Sequence, residues 1–354
     1  MKKEYIIPIF VPHLGCPHAC VFCNQTKITG TQTGVTAKDV EETIQSYLKH
    51  FKDKENKVEV AFFGGSFTGI AQEKQNELLE AVQKYIKNGQ VDSIRISTRP
   101  DYINRKILKR LKKYHVKTIE LGVQSTNNYV LTKAKRGHTY ENVKKASRLI
   151  RLYRFTLGHQ MMIGLPDSTA LDEINTAKDL IKLKPKIVRI YPVLVIKQTE
   201  LEEEYNNDEY EPLSVVQAVE RCKEVAMLFN KHKINVIRIG LQNTDEITDP
   251  RDKNSQVVAG PYHPAFRQLV EGALWYDAIV SKIKRFSTKV KEVEIRANPE
   301  DINNIIGHKK ENIIKLKENY DVDLIIKIDS NVKHGKFELK VDKTYDDLLE
   351  EIRK

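Results

Sequence analysis

Residues 6–23, Ile-Ile-Pro-Ile-Phe-Val-Pro-His-Leu-Gly-Cys-Pro-His-Ala-Cys-Val-Phe-Cys, join two signals in one stretch. The first six are short, apolar and rich in β-branched residues, as buried parallel strands are. Three cysteines follow at C-x3-C-x2-C spacing: Cys16, Cys20 and Cys23. Residues three and four apart converge on one centre when the loop curls, and Gly15 and Pro17 supply the bend. An iron–sulfur cubane has four irons, each wanting a thiolate. Three ligands leave one iron open to bind a small molecule and pass it an electron. Two other readings stand beside this one. Zinc needs a fourth ligand, which His13 or His18 would supply, since the sequence has no paired second knuckle. A disulfide is disfavoured, because no signal peptide points to an oxidising compartment. Cys222, the fourth cysteine, stands alone in a helical pattern and reads as a small apolar core residue.

Outward from this stretch, strand-like and helix-like patterns alternate over the first 240 residues. Further candidate strands are Val58–Phe63, Val91–Ser97, Thr118–Val123, Phe155–Ile163, Ile187–Val193 and Val236–Ile239. Amphipathic helices are expected from Thr36 to about Phe51, then at Gln72–Lys87, Ile103–Tyr114, Tyr140–Arg151, Ala170–Leu183 and Leu213–His232. Repeated βα units imply an α/β fold with a parallel sheet under helical cover, either open or curled into a barrel. Chemistry then gathers at the C-terminal ends of the strands. The cysteines follow the first strand and Gly64-Gly65 follow the second, in agreement with that rule.

The chain has 354 residues, 40% of them hydrophobic, and a net charge of +11. That length suggests two or three domains with a sizeable core. No apolar run approaches the roughly 18 residues of a membrane helix, so a soluble, cytoplasmic protein without a membrane partner is expected. The basic balance is compatible with a polyanionic partner.

C-x3-C-x2-C with Phe22 before the last cysteine resembles the radical S-adenosylmethionine signature. With "FFGGSFTGI", "STRPDYI" and "IELGVQS", the stretch "IPIFVPHLGCPHACVFCNQ" resembles the branch containing the Elongator catalytic subunit, over roughly residues 4–270. The resemblance implies a partial (β/α)6 TIM-like barrel. It implies a [4Fe–4S] cluster on Cys16, Cys20 and Cys23, with S-adenosylmethionine on the open iron and a 5′-deoxyadenosyl radical as the product of electron transfer. It also implies that Gly64, Gly65, Ser66, Phe67 and Thr68 form the methionine-binding segment. Ser66 stands where many members have an acidic residue, which narrows its role to carbonyls and a hydroxyl. Arg99, in a block beside the cofactor, can pair with a carboxylate, and Asp101 can cap the next helix.

Glu120, Gly122 and Gln124 share one face of the fourth strand by its period of two. An acid and an amide there are poor core choices without partners, so Gln124 is a candidate for cofactor or substrate contact and catalysis. His159 and Gln160, ahead of Gly164-Leu165-Pro166, are expected to extend the same lining, with His159 a second catalytic candidate beside a plain core-histidine reading. Arg189, Tyr191 and Lys197 are further candidates. Tyr262, His263, Pro264 and Arg267 have no physical assignment beyond capping and packing.

The expected domains are a barrel over residues 1–240, a connector packed on it over 241–289, and a unit over 290–354. The last reads β-α-α-β-β-α, ending in a helix at Tyr345–Arg353. It resembles a KH domain, whose G-x-x-G turn clamps nucleic-acid backbone. Gly307, His308, Lys309 and Lys310 occupy the turn, with lysine in place of the second glycine, which weakens the closest backbone contact and substitutes charge. The C-terminal unit is shorter than an acetyltransferase domain and differently ordered, so acetyl transfer is not expected.

The leading expectation is a radical enzyme, a transferase modifying a nucleoside in structured RNA, with transfer RNA favoured and a flavodoxin or ferredoxin as electron donor. The absence of a second cysteine cluster weakens methylthiolation through an auxiliary cluster. A radical enzyme on a small-molecule or protein substrate, and a non-catalytic RNA-binding protein with a structural cluster, are the alternatives.

Overall fold

The computed structural model describes residues 4–11, 20–24, 34–51, 56–242, 244–286 and 290–344. Two compact units meet in the chain at Pro264/Ala265.

The first unit carries one sheet of seven parallel strands: β1 (Glu4–Val11), β2 (Lys57–Gly64), β3 (Ser93–Thr98), β4 (Val116–Gln124), β5 (Thr156–Ile163), β6 (Ile187–Pro192) and, beyond a two-residue β7 (Val195–Ile196), β8 (Asn235–Ile239). The intervening helices are α1 (Ala37–His50), α2 (Gln72–Lys87), α3 (Arg105–Lys113), α4 (Asn128–Lys133), α5 (Tyr140–Leu152), α6 (Ala170–Lys182), α7 (Glu200–Asn206) and α8 (Val215–Lys231). The order along the sheet follows the chain and leaves β1 and β8 as edges, so this is an open, partial barrel. Capping boxes fix where α1, α6 and α8 begin. At Thr36, for example, the N–H donates to the Asp39 carboxylate at 2.8 Å while the hydroxyl accepts from the Asp39 N–H.

Strand parity divides the sheet into two faces. One carries Val60, Phe62, Ile94, Ile96, Ile119, Leu121, Leu157, Met161, Val188 and Ile190, all fully buried. The other carries Glu59, Arg95, Glu120 and Arg189, also buried, and these form one line of alternating charge. Arg95 Nε donates to Glu59 at 2.6 Å and its Nη1 to Glu120 at 2.8 Å, and Arg189 donates to both Glu120 oxygens. Glu120 on β4 must reach across β5 to meet Arg189 on β6. Gly158 permits this, because a Cβ there would lie 2.8 Å from Glu120 Cγ. The acid that looked misplaced on β4 thus has two cationic partners.

Residues 241–289 do not form one connector. β9 (Val257–Ala259) pairs antiparallel with β7, tying the stretch before Pro264 to the barrel unit. The helix α9 (Phe266–Ile283) belongs to the second unit, where Ile279, Val280 and Ile283 share a core with Val293, Ile295, Ile305 and Leu316.

The second unit continues with β10 (Val290–Ala297), α10 (Ile302–Ile306), α11 (Glu311–Tyr320), β11 (Asp323–Ile328) and β12 (Phe337–Thr344). Its sheet is mixed: β10 is central, parallel to β11 and antiparallel to β12. The expected β-α-α-β-β order is present, and the helix expected at Tyr345–Arg353 lies outside the described residues. Gly307 has φ +77°, and a Cβ on it would strike Asn312 at 2.9 Å. Asn312 Nδ2 donates to the carbonyls of Gly272, Asn304 and Ile305, which locks the turn between α10 and α11. Lys309 and Lys310 both have positive φ, +51° and +65°. Lys310 therefore holds a left-handed conformation that glycine adopts freely. Lys310→Gly should raise the stability of this unit by about 1 kcal/mol, read as a higher midpoint in denaturant unfolding. A lower midpoint would mean the lysine side chain contributes more than its backbone costs.

Candidate active site

Cys20 and Cys23 sit in a short segment pinned by the barrel. The Cys23 N–H donates to the Cys20 carbonyl at 2.9 Å, forming a tight turn. Between them, the Val21 N–H donates to the Ala134 carbonyl and the Val21 carbonyl accepts from the Leu201 N–H at 2.9 Å. Val21 packs with Val130, Ala134, Leu165, Val193 and Leu201. Asn24 Nδ2 donates to the carbonyls of Lys197 and Gln198. Helices α4 and α7, which hold this segment, lack a readable period because they have six and seven residues. Cys16 lies outside the described residues, as do Gly15 and Pro17. Cys222 is buried on α8, its thiol pushed well up by burial, as a core cysteine should be.

Arg136 is the residue that sequence reasoning missed. It is buried, its Nη1 donates to Cys20 Sγ at 3.2 Å, and its Nη2 donates to the Gly122 carbonyl at 2.7 Å. Its backbone carbonyl accepts from Arg99 Nη2, and Arg99 in turn pairs with Asp101 at 3.0 Å. Arg99 thus braces the loop that carries Arg136. His138 is buried nearby, its Nε2 bonded to the Val123 carbonyl at 3.2 Å. Burial, then Arg136 and Arg99, hold its pKa down at about 3, so the ring is neutral. The signal in the sequence was Lys135-Arg136-Gly137-His138: two polar side chains flanking a glycine, soon after an apolar run.

Gly64, at φ +103°, ends β2 where a Cβ would lie 2.5 Å from the Val11 carbonyl, and the Gly65 N–H donates to the same carbonyl at 3.2 Å. This close approach brings the ends of β1 and β2 together. The rest of the glycine block packs inward. Ser66 Oγ lies 2.9 Å from Thr98 Oγ1 and accepts from the Arg99 N–H. Thr68 donates to the Tyr102 carbonyl, and Phe67 is buried against Phe62 with ring centroids 5.0 Å apart. Ser66 and Thr68 thus join the end of β2 to Thr98 of β3, and Phe67 packs back on β2.

Gln124 ends β4 after a bulge, at φ +71°, and its Oε1 accepts from Gln160 Nε2 at 3.4 Å. The two amides share the face that carries the ionic line. His159 does not join them. It points to the opposite face, where its Nε2 meets Ser147 Oγ of α5 at 2.8 Å, and burial holds its pKa down at about 3. Parity is the reason: neighbours on a strand face opposite ways, so Gln160 and His159 cannot both line the barrel. Lys197 Nζ donates to the Ser255 carbonyl at 2.6 Å. On the interior face, Phe10 is 41% exposed and lies 6.4 Å from Phe63 between ring centroids. Arg189 stands 5.1 Å from the Phe63 ring, and its Nη1 donates to the Tyr191 hydroxyl at 3.4 Å.

The donor set fits an anionic, thiolate-ligated group. A buried guanidinium points at one cysteine sulfur, and its Nε is buried without a hydrogen-bond partner among the described residues. A guanidinium at that sulfur complements the negative charge of a thiolate-ligated group.

Residues 10–181 match the radical SAM superfamily and residues 185–276 match the radical SAM C-terminal domain. The chain belongs to the radical SAM superfamily, and with that membership come a [4Fe–4S] cluster and S-adenosylmethionine. It is 32% identical over 185 residues to the tRNA uridine(34) acetyltransferase of Methanocaldococcus jannaschii, spanning 47% of this chain but only 34% of that one. It is 31% identical over 222 residues to an uncharacterized protein of the same organism, spanning 60% of this chain and 68% of that one. Among solved structures, archaeal Elp3 of Methanocaldococcus infernus with an N-terminal deletion superposes with a TM-score of 0.59 at 21% identity, over 80% of this chain and 64% of that one. That likeness concerns the fold. None of the described helices is long and apolar enough to cross a membrane.

Proposed function

We propose that this radical SAM enzyme is a transferase modifying a nucleoside in structured RNA, transfer RNA first among them. The observation that carries the reading is the interior face of the sheet toward the C-terminal ends of its strands. A partly exposed Phe10–Phe63 pair offers an aromatic face, and Gln124, Gln160 and Tyr191 offer hydrogen-bonding edges. An extruded base needs both, because its ring stacks and its edge is read by polar groups. Two further observations support it: the left-handed basic turn at Gly307–Lys310, and relatives whose names give transfer RNA uridine as the substrate.

Cys16, Cys20 and Cys23 would hold the cluster, and the backbone of Gly64 and Gly65 would meet the methionine end of S-adenosylmethionine. When bound, these cofactors supply a 5′-deoxyadenosyl radical after one electron from a flavodoxin or ferredoxin. The chain's own residues do the rest. Arg136 places positive charge at the Cys20 sulfur, and Arg99 and Asp101 fix the loop that carries Arg136. The ionic line beneath closes the barrel floor to water.

Anaerobic isolation of cluster-loaded protein, followed by sequencing of its bound nucleic acid, tests the proposal. Enriched transfer RNA is expected, with a new nucleoside mass after incubation with S-adenosylmethionine and reductant. Cofactor cleavage without any RNA enrichment would redirect the reading to a small-molecule or protein substrate. Lys309→Glu with Lys310→Glu should weaken transfer RNA retention about tenfold or more, and unchanged retention would remove the turn from the interface.

A further inference from the structure

Helices α3 and α5 lie side by side on the outside of the barrel unit, where Lys112 Nζ of α3 donates to the carbonyl of Tyr153 at 3.1 Å. Residues 105–113 and 140–154 contain eleven lysines and arginines and one acid, Glu141. Their net charge of +10 compares with +11 for the whole chain, so the basic character is concentrated here rather than spread over the surface. Between the helices runs a groove of about 670 Å³ lined by Ile103, Arg105, Lys106, Lys145, Arg148 and their neighbours. Arg105, Lys106, Lys145 and Arg148 are exposed, and none forms a salt bridge among the described residues. Glu141, the one acid, is paired with Lys144.

We infer that this groove binds the phosphodiester backbone of RNA, outside the region that receives the reacting base. The inference rests on the RNA reading above and adds a second grip to it. Four cations without a salt bridge among the described residues line one groove, where like charges repel one another and only salt screens them. A polyanion relieves that repulsion and releases its own counterions. The groove's position agrees. Ile103 follows Asp101 by two residues, so the groove begins at the rim where Arg99 and Asp101 brace the cysteine-facing loop. A backbone lying in it leads to the barrel mouth. Its concave, two-walled form suits a strand rather than a flat lipid surface.

The test is transfer RNA binding by the full-length, cluster-loaded protein across a salt series, comparing wild type with Arg105→Gln/Lys106→Gln/Lys145→Gln/Arg148→Gln. Each cation withdrawn from a phosphate lowers the slope of log affinity against log salt by about one. The variant should therefore show a slope lower by about three to four and affinity at low salt at least tenfold weaker. Its thermal midpoint and its S-adenosylmethionine cleavage without RNA should match wild type, because all four side chains are exposed on the outer face. Equal slope and affinity in the two proteins would overturn the groove while leaving the RNA reading intact. Failure of wild type to bind transfer RNA would overturn that reading instead. Binding of phosphatidylserine vesicles, lost in the variant while transfer RNA binding is kept, would overturn the inference in favour of a membrane surface.

Discussion

Glu120→Ala is expected to lower stability by about 3–5 kcal/mol, because it leaves the buried Arg189 guanidinium without its carboxylate. Glu120 accepts from Arg95 on one side and from Arg189 on the other, and all three are buried. Replacing an entire buried ion set by apolar groups is often neutral, whereas removing one member strands the rest. The protonation behaviour points the same way. Burial pushes the Glu120 carboxyl up, but Arg189 and then Arg95 outweigh it and hold the carboxyl below the usual range. A depressed carboxylate contributes stability above its unfolded pKa and loses it as pH falls through the folded value. The wild type should therefore weaken below about pH 4, and the Glu120→Ala protein, already weakened, should lose less over that interval. Urea unfolding at pH 7 and pH 3 checks both statements. A drop of less than about 1 kcal/mol at pH 7, well short of the figure for a stranded buried charge, would mean that water or a rearranged Glu59 takes over the charge.

Cys20→Ala should abolish the visible absorbance of the reconstituted cluster and reduce S-adenosylmethionine cleavage to background. Cys20 is the described cysteine whose sulfur accepts from the buried Arg136, and a cubane with two thiolates loses its seat as well as its charge partner. Cys222→Ala is the matched control. Its thiol is buried on α8, so the change should cost about 1 kcal/mol of packing and leave the absorbance intact. If Cys222→Ala removed the cluster and Cys20→Ala kept it, the ligand assignment would be overturned. Arg136→Leu offers a graded comparison: it removes the donor to sulfur without removing a thiolate, so reduced cluster retention is expected rather than complete loss.

The strands and long helices were legible in the sequence because their signals are local. Gln72–Lys87 has the bounds read from pattern alone. The position of Glu120 was readable as an anomaly, but its partners Arg95 and Arg189 come from strands 25 and 69 residues away, and no local rule supplies that pairing. His159 was misplaced for the same reason: a lining residue cannot be told from a helix-facing one until the register is known. The register Glu120↔Gly158 then settles its face. Helices α4 and α7 were too short to show a period, and with them went the anchor of the cysteine segment. Arg136 sits 116 residues from the sulfur it meets. The boundary at Pro264/Ala265 escaped notice because α9 and the turn-rich stretch before it read as one connector, and only their separate packing divides them.

The pinning of Val21 between Ala134 and Leu201 has a consequence for maturation. In a small zinc domain, metal binding and chain ordering are one event, and the metal supplies the folding free energy. Here the backbone on both sides of Val21 is fastened by the barrel's own helices, so the seat for two thiolates is set by protein contacts and not by iron. The turn that carries Cys20 and Cys23 is thus fastened by contacts that a metal does not have to create. The barrel fold should therefore form without the cluster, read as the same far-UV circular dichroism before and after reconstitution.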